Sequence, residues 1–189
     1  MIGRAALPGL QVHRVGPRDW RTYRDVRLAA LIDSPRAFWT TYAQAAALLE
    51  EDWRDRLDWP TWIARAPLSP DPERPPAPVG LVALWRVPDS PDDRIHITQM
   101  WVAGWARGRG VADALIDAAV ESARADGWGT VALEVAEENV RAERCYRRLG
   151  FHRTGAEAVM PWDDDVVEVE MALELDVPSE RRSDEPDRG

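Results

Sequence analysis

The sequence predicts an α/β (α+β) domain with a mixed, mostly antiparallel central sheet and helices on both faces. Short apolar strands fall in adjacent groups, which implies antiparallel neighbours. One strand–helix–strand unit over residues 95–135 implies a parallel crossover. Apolar residues make up 45% of the 189 positions, a globular composition. The length suits one domain with a real core, placed at residues 1–175.

The first strand is expected at Leu10–Val15, broken by Gly16-Pro17, and the proline suits a helix start. Trp20, Tyr23, Val26 and Ala30 advance by three or four along one helix face, and Asp33-Ser34-Pro35 ends it. Ala45, Leu48, Leu49, Trp53 and Leu57 mark a second helix, stopped near Pro60. Thr61–Ala66 reads as a strand. Residues 67–78 carry six prolines in twelve positions, so they form an exposed, mobile connection. Val79–Val87 and Ile95–Val102 are strands, with Asp89–Arg94 as the turn between them.

A helix near Gly110–Ala125 turns Val111, Leu115, Ala118, Ala119 and Ser122 inward and keeps Asp113, Asp117 and Glu121 outward. Gly127 and Gly129 close it. Thr130–Val135 is an apolar strand. Asn139 is an N-cap; Ala142, Cys145, Tyr146 and Leu149 share a face of the helix it opens, and Gly150 ends that helix. Phe151–Ala156 and Val166–Glu174 are the last strands. Residues 176–189 are polar and charged, the composition of a disordered tail.

The formal net charge is −9, which argues against broad contact with nucleic-acid phosphates. No apolar run nears the roughly 20 residues of a membrane span, and no secretory signal is visible at the N-terminus. Cys145 is the only cysteine, so no internal disulfide framework exists. These features read as a cytoplasmic protein with neither a nucleic-acid nor a membrane partner. All 24 basic residues are arginine, so the chain has no lysine side chain to acetylate.

The segment richest in chemistry runs Val102-Ala103-Gly104-Trp105-Ala106-Arg107-Gly108-Arg109-Gly110-Val111-Ala112. It follows a strand and opens a helix. Closely spaced glycines let successive N–H groups point into one concavity, and a helix N-terminus adds unpaired N–H groups and a positive dipole end. Together they suit a phosphate or diphosphate, with Arg107 and Arg109 as charge-assisted donors. An ordinary strand-to-helix turn would need the same glycines. A P-loop is excluded because no lysine exists, and a dinucleotide fingerprint because no third glycine follows Gly110 at the right spacing.

Arg107, Gly110 and Ala112 match the [Q/R]-x-x-G-x-[G/A] acetyl-CoA motif of the GNAT superfamily, which the sequence resembles. Asn139, Tyr146 and Leu149-Gly150-Phe151 match a second part of that pattern, and the resemblance covers roughly residues 10–175. Many relatives carry proline where Gly104 stands here. The resemblance implies a GNAT fold with a splayed parallel strand pair, acetyl-CoA as co-substrate, and direct acetyl transfer to a primary amine. Homodimers are common in that family, although no residue of this sequence marks an interface.

The loop reading and the resemblance together put cofactor contacts at Val102, Arg107, Gly108, Arg109, Gly110, Val111, Ala112 and Asn139. The Val102 N–H would polarise the thioester carbonyl. Tyr146 matches the general acid that protonates the leaving thiolate, although it also reads as a core tyrosine. His96 lies six residues before Val102 and on the same strand face if alternation holds. It reads either as the base for the amine, at an offset where some relatives carry a carboxylate, or as a packed strand histidine. Glu134, Glu137 and Glu138 read either as bases acting through water or as solvated charges. No metal role is expected.

The resemblance implies an acceptor site between the first two helices and the last hairpin, where this sequence offers Phe38, Trp39, Tyr42, Trp162 and Asp163–Asp165. Aromatic faces with carboxylates suit a cationic amine, such as a small amine, an antibiotic or a peptide amine; core packing and a solvated turn explain the same residues. An acyl-CoA sensor without turnover and a non-catalytic interaction domain are the other readings.

Overall fold

A computed structural model describes residues 6–69, 71, 73–161 and 163–176. Seven strands form one sheet in the order β1-β2-β3-β4-β5-β7-β6. They are β1 (Gln11–Val15), β2 (Thr61–Ala66), β3 (Ala77–Trp85), β4 (Arg94–Val102), β5 (Thr130–Ala136), β6 (His152–Met160) and β7 (Asp163–Glu174). Only β4 and β5 run parallel; the other neighbours are antiparallel. The helices are α1 (Trp20–Asp33), α2 (Tyr42–Ala46), α3 (Glu50–Asp55), α4 (Val111–Ala125) and α5 (Val140–Arg148). The expected mixed sheet with one parallel crossover is therefore present. Among the described residues no helix is long and apolar enough to cross a membrane.

Helices α1 and α4 cover opposite faces. A side chain at Gly80 of β3 would run into Leu115 and Val111 of α4. The next residue, Leu81, pairs with Trp101 of β4, whose indole N–H donates to Asp33 at the end of α1. Neighbouring positions on a strand face opposite ways, so the sheet is sandwiched. Tyr23, Leu31, Ile63, Leu81, Leu115 and Leu133 are fully buried along this sandwich.

Four expectations need correction. The second helix is broken into α2 and α3, followed by a 3-10 turn at Arg56–Asp58. Leu49, expected on its buried face, is 63% exposed; its N–H donates to the Asp52 carboxylate at 2.8 Å, a local cap that restarts the helix. The final hairpin is longer than the apolar pattern indicated, so Asp163–Asp165 open β7 and do not form a turn. Trp162 lies outside the described residues, as does everything beyond Asp176. Of the proline-rich connection, Ala77 and Pro78 already belong to β3, with Pro78 opposite Arg65 where the β2–β3 register shifts. A bulge of that kind tolerates a missing N–H.

The fourth correction sets the geometry of the site. Between Leu81↔Trp101 and Ala83↔Thr98, β3 advances two residues while β4 advances three. The extra residue is a β-bulge, and Gln99 within this stretch has φ 57°. Val102 consequently lies opposite Gly80 and His96 opposite Trp85. Positions 80 and 85 of an unbroken strand face opposite ways, so His96 and Val102 do too. The expectation that they share a face fails because a bulge inverts the alternation.

Candidate active site

Strands β4 and β5 pair only over Arg94↔Thr130, Ile95↔Val131 and His96↔Ala132. Beyond that point β5 continues alongside β7 and β4 alongside β3, so a wedge opens between them. The Ala103 N–H donates to the Val79 carbonyl at 2.9 Å. Alternation along the strand then turns the Val102 N–H away from β3, toward the wedge. The Val102 carbonyl accepts from Arg107 Nε at 2.9 Å. Tyr23, fully buried on α1, donates from its hydroxyl to Gln99 Oε1 at 2.8 Å and so braces the bulge.

The wedge leads to the glycine loop. Gly108 (φ 75°) and Gly110 (φ 82°) are both left-handed, a conformation glycine adopts without strain. Gly110 caps α4, and the first intrahelical bond runs from the Ala114 N–H to the Gly110 carbonyl. The N–H groups of Val111, Ala112 and Asp113 therefore lack intrahelical acceptors. With the dipole of a 15-residue helix behind them, they form a cradle for an anion. The Leu7 N–H donates to the Arg109 carbonyl at 3.1 Å and supports the loop from outside. The Arg107 guanidinium reaches the Asp33 carboxylate at 2.6 Å and Ser34 Oγ at 3.1 Å.

Helix α5 supplies the facing wall. Asn139 Oδ1 accepts from the Ala142 N–H at 3.2 Å, the expected N-cap. Tyr146 is 8% exposed and packs against Phe151 with ring centroids 6.0 Å apart. Burial pushes its phenol well above the ordinary value, and the neighbouring Cys145 adds to this. Arg148 makes two bonds to Asp113, at 3.0 and 2.7 Å.

A cleft of about 610 Å³ joins these parts. It brings together Val102, Arg107, Gly108, Gly110, Ala112, Asn139 and Tyr146. Arg109, Val111 and His96 do not line it. Val111 is 1% exposed beneath Gly80. Residues that sequence reasoning passed over also line the cleft, among them Met100, Trp101, Asp113, Arg141, Arg144 and Arg148. The spacing 141, 144, 148 was a readable signal, since it places three arginines on one face of α5.

His96 is 4% exposed, on the sheet face that α1 covers. Its Nδ1 lies 3.1 Å from Glu134 Oε1 and its Nε2 lies 3.2 Å from Ser90 Oγ. Glu170 belongs to the same cluster, and Arg94 holds its carboxylate at 3.0 and 3.1 Å. Glu168 is 5% exposed and accepts from the Trp39 indole N–H at 2.6 Å. Burial pushes its carboxyl up and Glu134 adds to the rise, while the Trp39 bond opposes it.

The model of the acetyltransferase (GNAT) family matches residues 28–151. N-acetyltransferase 8F1 of Rattus norvegicus is 34% identical over 79 residues, 41% of this chain and 36% of that protein, so the match spans about a third of the relative's length. An acetyltransferase of the GNAT family from Streptococcus pneumoniae superposes with a TM-score of 0.69 at 17% identity, covering 88% of this chain and 99% of that one. The structure of yncA from Salmonella typhimurium with its cofactor acetyl-CoA gives a TM-score of 0.67 at 16% identity, over 90% and 96% of the two chains. A wedge beside an anion cradle on this seven-stranded sheet, together with a family match across both, leads to one assignment: the chain belongs to the GNAT acetyltransferase family.

Proposed function

We propose that this acetyltransferase moves the acetyl group of acetyl-CoA directly to a primary amine. One observation carries the reading: a single cleft joins the Gly108–Ala112 cradle, the wedge beside Val102 and the Tyr146 side chain. The residues fit that co-substrate. The unpaired amides of α4 take its diphosphate, and the wedge takes its long arm in place of a neighbouring strand. The Val102 N–H, lacking a ladder partner in β5, donates to the thioester oxygen as charge builds there.

The amine nitrogen attacks the carbonyl carbon, an N–C bond forms, the C–S bond breaks and the sulfur leaves as thiolate. Tyr146 donates the proton the thiolate takes up. Its raised pKa keeps the phenol protonated at neutral pH, and a thiolate released in the same desolvated cleft gains basicity from the same cause. Glu134, just beyond the apex of the wedge, takes the proton the amine loses, with the buried His96 hydrogen-bonded behind it at 3.1 Å. Glu168 and Trp39, on the face of the sheet that His96 shares, favour a cationic acceptor. Asp163, the first of the aspartates considered for that role, pairs with Arg36 at 3.4 Å.

Calorimetry with acetyl-CoA and thiol release across a panel of small amines, antibiotics and peptides test the proposal. Saturable binding with thiol release for at least one amine is expected. Binding without release for any amine would favour an acyl-CoA sensor. Absence of binding would remove the acetyltransfer reading and leave an interaction domain.

A further inference from the structure

Helix α5 presents Arg141, Arg144 and Arg148 to the same cleft as Gly108, Gly110 and Ala112. Arg148 is neutralised by Asp113. Arg141 and Arg144 are exposed, and neither has a carboxylate partner among the described residues. The adjacent Arg147, which does not line the cleft, pairs with Glu143 at 2.7 Å, and Arg153 reaches the same carboxylate at 2.8 Å. Acids outnumber bases 33 to 24 in this chain, so two unpaired guanidiniums three positions apart on one wall call for a cause.

Their placement is also unfavourable without a ligand. Arg141 is the second residue of α5, where the helix dipole disfavours a cation. Arg141 and Arg144 repel each other at i, i+3 spacing. A nearby dianion would relieve both effects. The fixed fork of a guanidinium also matches phosphate oxygens, which a point charge does not.

We propose that Arg141 and Arg144 form a second phosphate subsite, selective for the monoester phosphate on the ribose of the co-substrate and separate from the diphosphate cradle. The subsite rests on the acetyl-CoA reading above. A phosphate monoester carries close to two negative charges at neutral pH, and two guanidiniums balance them. The pair thus makes the enzyme selective for the full coenzyme over its 3′-dephospho form.

Titration calorimetry of coenzyme A and 3′-dephospho-coenzyme A tests this on the wild-type chain and on the Arg141→Gln/Arg144→Gln variant. Both positions are exposed, and circular dichroism checks that the variant folds. Wild type is expected to bind coenzyme A about 10- to 100-fold more tightly, the scale of charge-assisted hydrogen bonds. The variant is expected to lose that preference while holding the dephospho form within about 2-fold of wild type. The preference should shrink as salt rises. Equal binding of both forms by wild type, or a variant that keeps the preference, overturns the subsite. If wild type binds neither form, the acetyl-CoA reading falls as well, an outcome distinct from equal binding.

Discussion

Asp33 Oδ2 accepts from Arg107 at 2.6 Å and from the Trp101 indole at 2.9 Å, tying the C-terminal end of α1 to β4 and to the loop that precedes α4. Through this oxygen the loop before α4 is fixed to the opposite face of the sheet. Arg107 thereby acts on the loop from behind, since its Nε also holds the Val102 carbonyl.

The Trp101 bond, then those from Ser34 and Arg107, hold the Asp33 carboxyl below its ordinary value, against a rise from partial burial. A carboxyl whose folded pKa is depressed adds stability above its unfolded pKa and loses it as pH falls through the folded value. The contribution should therefore be complete at neutral pH and fade only below about pH 4. Both partners are over a third exposed, so the pair is worth at most about 1 kcal/mol. Asp33→Asn should cost no more than a few degrees in Tm at pH 7, with the difference vanishing in acid. Its larger effect should be on acetyl-CoA binding, weakened about 3- to 10-fold as the loop loosens. Melting curves from pH 3 to 7 and calorimetry measure the two effects.

Tyr146→Phe preserves the packing on Phe151 and removes only the hydroxyl. Turnover should fall about 100-fold or more, with acetyl-CoA affinity within about 2-fold of wild type. Because burial raises the phenol pKa, wild-type turnover should show no fall from phenol ionisation below about pH 10. Single-turnover rates across that range decide it; unchanged turnover where chemistry limits would remove the general-acid role.

Gly80 sets how closely α4 lies on the sheet. A Cβ there would stand 2.7 Å from Leu115 Cδ1 and 3.0 Å from both the Trp101 carbonyl and Val111 Cγ1. The Leu115 methyl can rotate away, but the Trp101 carbonyl is backbone and cannot. Gly80→Ala should destabilise by about 1–3 kcal/mol and displace the first turn of α4, raising the Kd for acetyl-CoA. Denaturant unfolding and calorimetry report the two. A variant as stable as wild type would show that the contact relaxes freely.

Much of this site was legible because some residues serve backbone needs few others meet. Gly110 in a left-handed cap and Asn139 as an N-cap announce helix starts before any contact is known. The same holds for the strand–helix–strand order that places β4 beside β5. The bulge was not legible. Thr98-Gln99-Met100 mixes polar and apolar residues without marking which one is extra, and the side chain that braces Gln99 comes from Tyr23, 76 positions away. That hidden residue reversed the face assigned to His96. The break between α2 and α3 was missed because apolar spacing carried across it, whereas a local cap at Leu49 won. The Glu168–Trp39 bond joins residues 129 positions apart and leaves no local signal.

The proposed co-substrate site gives the pairing of Asp113 with Arg148 a testable role. Asp113 lies in the first turn of α4 and lines the cleft, where a bare carboxylate would favour the helix dipole yet repel a diphosphate. Asp113 holds the Arg148 guanidinium firmly protonated, and the two-bond contact cancels the carboxylate's charge. Arg148→Ala should accordingly weaken acetyl-CoA binding about 3- to 10-fold, the size of a ~1 kcal/mol surface electrostatic effect. Asp113→Asn in the same background should restore most of the loss, since the uncompensated charge is then gone. A direct contact between Arg148 and the co-substrate predicts otherwise: the second substitution would restore nothing. A double-mutant cycle on Kd, repeated at low and high salt, separates the two, because only the charge mechanism yields a rescue that shrinks as salt rises.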